Sequence, residues 1–261
     1  MLQNGTYEIF EVGKSWDIIA LPNNQILMVN FNDCLDIFNS ENLELVMRIN
    51  KINGRAFRAL GIAIDLQDKK YFMTDLLSQR ILVTDYEFNL VNFVGSEDLN
   101  TTKFDGPYDL CLTRKNIYIC DQYKKNIHIY TKDLVFVKSL EVKCIPWKIK
   151  AINYMLFIHT YAGGIFIYDV SDLYKVKIKH YFPNHIECRI SKINSNIYEF
   201  SHKTRKLICF DKKGNLKQET IFTSVHERFN DIWCGTFVNI NPSCLIFTCH
   251  NGIVKISKTI Q

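Results

Sequence analysis

Six apolar-anchored segments recur along this chain at a nearly constant interval. Their anchors are Ile18, Ile62, Leu110, Ile149, Ile190 and Ile232, spaced by 44, 48, 39, 41 and 42 residues. Unrelated hairpins do not keep such a period, and repeats of this length mark architectures built by stacking one small unit. The clearest unit spans 107–140, PYDLCLTRKNIYICDQYKKNIHIYTKDLVFVKSL. It predicts four strands, at 108–112, 117–120, 127–130 and 135–140, separated by polar turn formers. The unit before it, 60–95, follows the same plan: Asp75 matches Asp121, and the alternating Ile81 and Val83 match Ile127 and Ile129. Alternation with a period of two places such side chains on one face of a sheet. Four weaker copies begin near Trp16, Trp147, Cys188 and Asn230.

A four-stranded sheet with two apolar faces cannot bury both alone. Stacking such sheets radially covers each face with a neighbour and leaves only short edges. The expected fold is therefore all-β: a six-bladed β-propeller of four-stranded antiparallel blades, filling 1–261 as a single domain. The sixth unit runs out after its third strand, whereas a spare strand, TYEIFEV at 6–12, precedes the first unit. That N-terminal strand is expected to complete the last blade and close the ring.

Composition agrees with a packed, strand-rich domain. Hydrophobic residues make up 47% of the chain and charged residues 23%, which excludes a disordered polymer. The 18 Phe and 13 Tyr suit half-buried pleated surfaces. Nine cysteines, with no CxxC pair, sit mostly inside apolar runs and read as small hydrophobes, so a reducing, cytoplasmic setting is expected. The first residues lack the basic and apolar regions of a secretion signal. The longest apolar stretch, 154–168, is too short to span a membrane. No membrane association is expected, and the chain is read as a monomer. A net charge of +5 suits an anionic partner. Richness in Lys, Asn and Ile also fits an AT-rich coding bias, which raises basic character without selection for any ligand.

The pattern P-x-x-(I/L)-x-(I/L), then I-Y-x-x-D, then I-x-(I/V)-(F/Y), fullest at 107–130, resembles the NHL repeat. The resemblance covers nearly the whole chain and is best in the second and third units. In four units the Asp that ends the second strand is replaced, by Asn30, Thr160, Ser201 and Cys249, and the family's glycines are largely missing from a chain with only 11 Gly. The resemblance implies a propeller used as a platform for protein or RNA and, in a few branches, as a lyase.

Two sets of residues could carry function. The residue before each anchor should lie near the mouth of the central channel: Asp17, Gly61, Asp109, Lys148, Arg189 and Asp231. Asp17, Asp109 and Asp231 could converge on a hard cation such as Ca²⁺, a plan similar to that of regucalcin-like hydrolase propellers. Lys148 and Arg189 in the same ring oppose this and favour a salt-bridged rim. The second set is basic and aromatic. Arg55, Arg58, Lys103, Trp147, Lys148, Arg189 and Arg228, with Phe57, Phe104 and Phe229, fall in or beside the connections between units. Cations neutralise phosphates and aromatic rings stack on splayed bases, so this set suits single-stranded RNA. The alternative is that the three phenylalanines plug the gaps between blades. His185 and Glu187 match the H-x-E half of the zinc-deaminase pattern, but the P-C-x-x-C half does not follow. Cys244, Cys249 and His250 share one strand region, where alternate side chains diverge and would not close on a zinc ion. Asp75 and Asp121 read as turn residues that accept N–H bonds from the loop that follows them. No catalytic residues and no resident cofactor emerge. The leading expectation is a non-enzymatic interaction platform for a protein or peptide; the alternatives are single-stranded RNA binding and a metal-dependent hydrolase or lyase.

Overall fold

The alternating apolar segments become strands in a computed structural model. It describes residues 6–10, 14–95, 104–161, 164–182, 188–193, 196–201, 206–211, 213, 215–221, 244–249 and 252–257, with side chains for 14–95, 104–161, 164–182 and part of 209–217. The described strands form six antiparallel sheets. The first holds β2 (Ser15–Leu21), β3 (Gln25–Asn30), β4 (Cys34–Asn39) and β5 (Leu45–Ile49). The second holds β6 (Ile62–Asp65), β7 (Lys70–Asp75), β8 (Arg80–Thr84) and β9 (Leu90–Gly95). The third holds β10 (Pro107–Leu112), β11 (Asn116–Asp121), β12 (Asn126–Thr131) and β13 (Phe136–Glu141). The fourth holds β14 (Pro146–Ile152), β15 (Met155–Thr160), β16 (Ile165–Asp169) and β17 (Lys177–Phe182). The fifth holds β18 (Cys188–Ile193), β19 (Asn196–Ser201), β20 (Lys206–Phe210) and β21 (Leu216–Ile221). Each of these is a simple meander.

The remaining sheet joins the two ends of the chain. Its order is β1 (Thr6–Phe10), β23 (Gly252–Ser257), β22 (Cys244–Cys249). Thr6 faces Ser257 and Phe10 faces Ile253, so β1 lies on β23 as an outermost strand. The expected strand at 6–12 is thus found over its first five residues, while 11–13 lie outside the described residues. So does Ile232, the sixth anchor.

Period-two alternation divides each strand between two neighbours. In β11, Ile117 and Ile119 pack toward the second sheet with Phe72, Ile81 and Val83. Tyr118 and Cys120 of the same strand pack toward the fourth sheet with Ile149, Leu156 and Ile158. Similar clusters join the first sheet to the second and the fourth to the fifth. Every described cluster is an interface between sheets, so hydrophobic burial couples the sheets rather than stabilising any one alone. Phe57 and Phe104 are buried in two of these interfaces, as plugs. The first strands of successive sheets touch one another, β2 to β6, β6 to β10, β10 to β14 and β14 to β18, and β2 also touches β22. Inner strands meeting around an axis, with sheets stacked radially, define an all-β propeller.

The loops sort into two faces. After the second strand of each of the first four sheets, a backbone N–H bonds the carbonyl just ahead of that sheet's first strand: Phe31 to Lys14, Leu76 to Arg58, Gln122 to Gly106 and Tyr161 to Ile145. These bonds hold the sheet-to-sheet connections beside the second-to-third-strand turns, on one face. The other turns gather on the opposite face, where Ser40 bonds Asn24 and Val170 bonds Tyr154.

Candidate binding site at the channel mouth

Three of the inner strands begin with the same irregularity. In β2 the pairing jumps from Ser15–Asn30 to Asp17–Val29, skipping Trp16. In β10 it jumps from Pro107–Asp121 to Asp109–Cys120, skipping Tyr108. In β14 it jumps from Pro146–Thr160 to Lys148–His159, skipping Trp147. A β-bulge re-aims the extra residue out of the alternation. Here each extra residue is a large aromatic, and each sits at the mouth of the channel.

These rings form a continuous row with two loop residues. Trp16 stacks on Phe31 at 3.9 Å with planes 7° apart, and its edge meets Tyr108 at 6.0 Å. Tyr108 lies 4.9 Å from Trp147, which stacks on Tyr161, also at 4.9 Å. Trp16 and Tyr108 belong to the first and third sheets, so they meet across the second. Tyr161 is 62% exposed, and Tyr123, on the neighbouring turn, 66%.

Directly beneath the row, four buried or half-buried charges from the described sheets face one another. Lys148 Nζ lies 3.9 Å from Asp17 and 3.8 Å from Asp109; Lys150 Nζ lies 3.7 Å and 3.9 Å from the same two carboxylates. Lys148 also donates to the carbonyl of Leu60 at 3.2 Å. Asp109 accepts from the amide of Ile149 at 2.9 Å, and Asp17 from those of Ile18 and Ile62. Inner strands of four sheets are thereby tied at one level. Burial pushes the Asp17 carboxyl up, yet Lys148, Lys150 and the two amides outweigh it and hold it below its ordinary value. At Asp109 burial wins, helped by the Asp17 charge, and the carboxyl is held above the ordinary value in spite of both lysines. Burial works to lower the Lys150 ammonium, but the facing carboxylates raise it further than burial depresses it.

Of the ring expected from sequence, Asp17, Gly61, Asp109 and Lys148 do converge. Arg189 and Asp231 have no described side chains. The two described carboxylates of the candidate Ca²⁺ set are each faced by two ammonium groups, and among the described residues no cluster of three His, Cys, Asp or Glu could hold a metal. In the basic set, Lys148 is buried in these ion pairs instead of facing a ligand. Arg58 is exposed but forks onto Asp33 with two bonds of 2.9 Å, and Arg55 is exposed. Lys103, Arg228 and Phe229 lie outside the described residues, as do His185, Glu187 and His250. Cys244 and Cys249 stand at opposite ends of β22, roughly 17 Å apart at strand rise, too far to share a zinc ion. The five cysteines with described side chains form no disulfide. Among the described residues no helix is long and apolar enough to cross a membrane.

Sequence reasoning missed a second polar constellation. His128 Nδ1 lies 2.7 Å from Ser139 Oγ, and its Nε2 3.2 Å from Asp121. Serine, histidine and aspartate in a row is a nucleophile's arrangement. The packing gives it another meaning. The same cross-strand slot holds Asp36 with Arg48 in the first sheet, Leu82 with Phe93 in the second and Phe166 with Tyr181 in the fourth. The fifth sheet pairs Ile208 with Glu219 there, so the His128–Ser139 pair is one of five fillings of a structural position. Asp121 in turn accepts from the amides of Asp105 and Gly106, both at 3.0 Å, and Asp75 from that of Arg58. These aspartates therefore clamp chiefly the connection that enters their sheet. The following loop contributes only a longer bond, from Lys124 at 3.4 Å.

No protein-family model matches the chain, and no curated protein matches it. Solved structures do. A streptogramin B lyase structure superposes with a TM-score of 0.68 at 11% identity, covering 99% of each chain. The β-propeller domain of Cps50 (Swd1) from Myceliophteria thermophila superposes with a TM-score of 0.62 at 9% identity, covering 98% of this chain and 100% of that one. This chain is similar to both in fold. Identities this low establish the β-propeller class and carry no activity with them.

Proposed function

We propose that this chain is a non-enzymatic propeller of six blades that binds a protein or peptide at its channel mouth. The six sheets and the seat of β1 on β23 support the blade count and the closure. The observation that carries the functional reading is the aromatic row, aimed by three equivalent bulges. Rigid aromatic side chains on a preformed surface supply much contact area at little entropic expense, the property of interaction hot spots. The salt-bridged floor beneath makes the site a shallow platform, which suits an extended peptide better than an enclosed small molecule.

Single-stranded RNA fits the geometry less well. Base stacking needs open ring faces. Phe31 covers one face of Trp16, and Tyr161 stacks on Trp147. Two cations of the RNA set, Arg58 and Lys148, are already ion-paired.

Selection of a displayed random-peptide library on the immobilised protein tests the reading. Recovered peptides should bind at least about tenfold more weakly to Trp147→Ala, and equally well to Tyr174→Ala on the opposite face. Peptides indifferent to Trp147→Ala, or readily displaced by oligouridylate, would contradict it.

A further inference from the structure

The two faces differ in charge as well as in shape. On the mouth face, the connection from β5 to β6 carries Lys51, Arg55 and Arg58; the β11–β12 turn carries Lys124 and Lys125; and the β13–β14 connection carries Lys143. All six are exposed. Lys14, just ahead of Trp16, adds another. The described acids on the same side that are not buried are Asp33, Asp105 and Glu141, and Asp33 is matched by Arg58; Asp17, Asp75, Asp109 and Asp121 are buried against their own partners. The opposite face mixes both signs, with Glu41, Glu44, Asp68, Asp85, Glu87, Asp133 and Asp172 set among Lys69, Arg114, Lys115, Lys175 and Lys213. Lysines stand on both faces; the difference lies in the acids, so a coding bias toward lysine does not explain it. The cations surround the aromatic row: Lys124 and Lys125 follow Tyr123, and Lys143 lies four residues before Trp147.

A positive field around an apolar strip complements a chain segment that alternates acidic and large apolar side chains. We infer that the natural occupant of the mouth is an acidic segment of a partner protein, held by its apolar side chains on Trp16, Trp147 and Tyr161 and by its carboxylates on the surrounding lysines. This rests on the peptide-platform reading. It adds the sign of the partner's charge and the groups that read it. The rim cations govern association rate and salt dependence, and the aromatic row governs residence.

The test titrates the full chain with three labelled probes: a short peptide alternating Glu and Phe, its Lys and Phe counterpart, and an oligouridylate of similar length. The expected result is that the Glu–Phe peptide binds best. Its affinity should fall about tenfold on Lys124→Glu with Lys125→Glu, an effect that shrinks toward about 1 M salt, where charges more than about 3 Å apart are screened. Trp147→Ala should weaken it by a similar factor at every salt concentration. Tyr161→Ser, at an exposed ring, keeps the test readable if Trp147→Ala does not fold. Preferential binding of the Lys–Phe peptide, still lost in Trp147→Ala, would overturn the acidic partner and leave the platform reading standing. Preferential binding of oligouridylate would overturn both. Glu–Phe binding insensitive to the lysine reversals would also overturn the inference.

Discussion

At the scale of single residues, the channel mouth depends on close approach and on matched charge. Gly61 is the one ring position without a side chain. A Cβ there would lie 2.7 Å from Asp109 Cα and would collide with the Asp109 carboxylate as well. Gly61→Ala is therefore expected to lower stability by about 1–3 kcal/mol, read as a shift in the urea unfolding midpoint. Asp121 offers a pH-dependent case. Burial alone would raise its carboxyl; the His128 bond and the amides of Asp105 and Gly106 outweigh burial and hold it below its ordinary value of 3.8. A depressed carboxyl stabilises fully above that ordinary value, and its contribution is lost as pH falls through the depressed one. Asp121→Asn should thus cost about 1.5–3 kcal/mol at neutral pH and progressively less at acid pH. Urea titrations at a series of pH values would show it as a flatter acid limb. The ring Asp17, Gly61, Asp109 and Lys148 was legible because it needs only the repeat register. The bulges were not: an extra residue in a strand changes pairing without changing composition, so Trp16 and Tyr108 read as ordinary strand starts, and Trp147 stood out only as a member of the basic and aromatic set. Nor could sequence show that Lys150, two residues beyond the ring, reaches the same carboxylates.

At the scale of elements, the repeat was readable wherever alternation is strong. In the third sheet the expected strands fall within about one residue of those found. What made the repeat hard to read elsewhere was turn chemistry. The first three sheets place Leu43, Phe88 and Leu134 in left-handed backbone after their third strand, at φ of 56°, 63° and 63°. Each of the three is buried. Left-handed backbone costs a non-glycine residue about 1–2 kcal/mol, which burial of these side chains offsets. Asn24, Lys69 and Asn153 take the same backbone in the first-to-second-strand turns. Positions that glycine would ordinarily fill are thus occupied by other residues, so a glycine-based signature fades while the turns persist. The pairing of β1 with β23 has a direct consequence. Removing 1–13 exposes the edge of β23 and breaks the join between the two ends of the chain. The truncated protein should melt at least about 5 °C lower than the full chain by calorimetry. An unchanged melting temperature would mean that the pairing contributes nothing to closure.

At the scale of the whole molecule, burial lies between sheets and identity lies on one face. The apolar clusters explain why sequences only 9% and 11% identical share this architecture: each asks only for alternating apolar strands of the right length. The mouth face is where this chain is particular, through its aromatic row, its buried ion pairs and its surrounding cations. Net charge alone could not reveal that sidedness, because a sum over the chain averages the two faces. Hydrogen exchange of the full chain, with and without the Glu–Phe peptide, decides whether the mouth is the binding face. Peptide binding at the mouth should slow exchange in 14–17, 31–33, 107–109, 146–148 and at Tyr161, and leave 40–44 and 170–176 unchanged. Protection confined to those opposite turns, or to the outer strands β5 and β13, would contradict it.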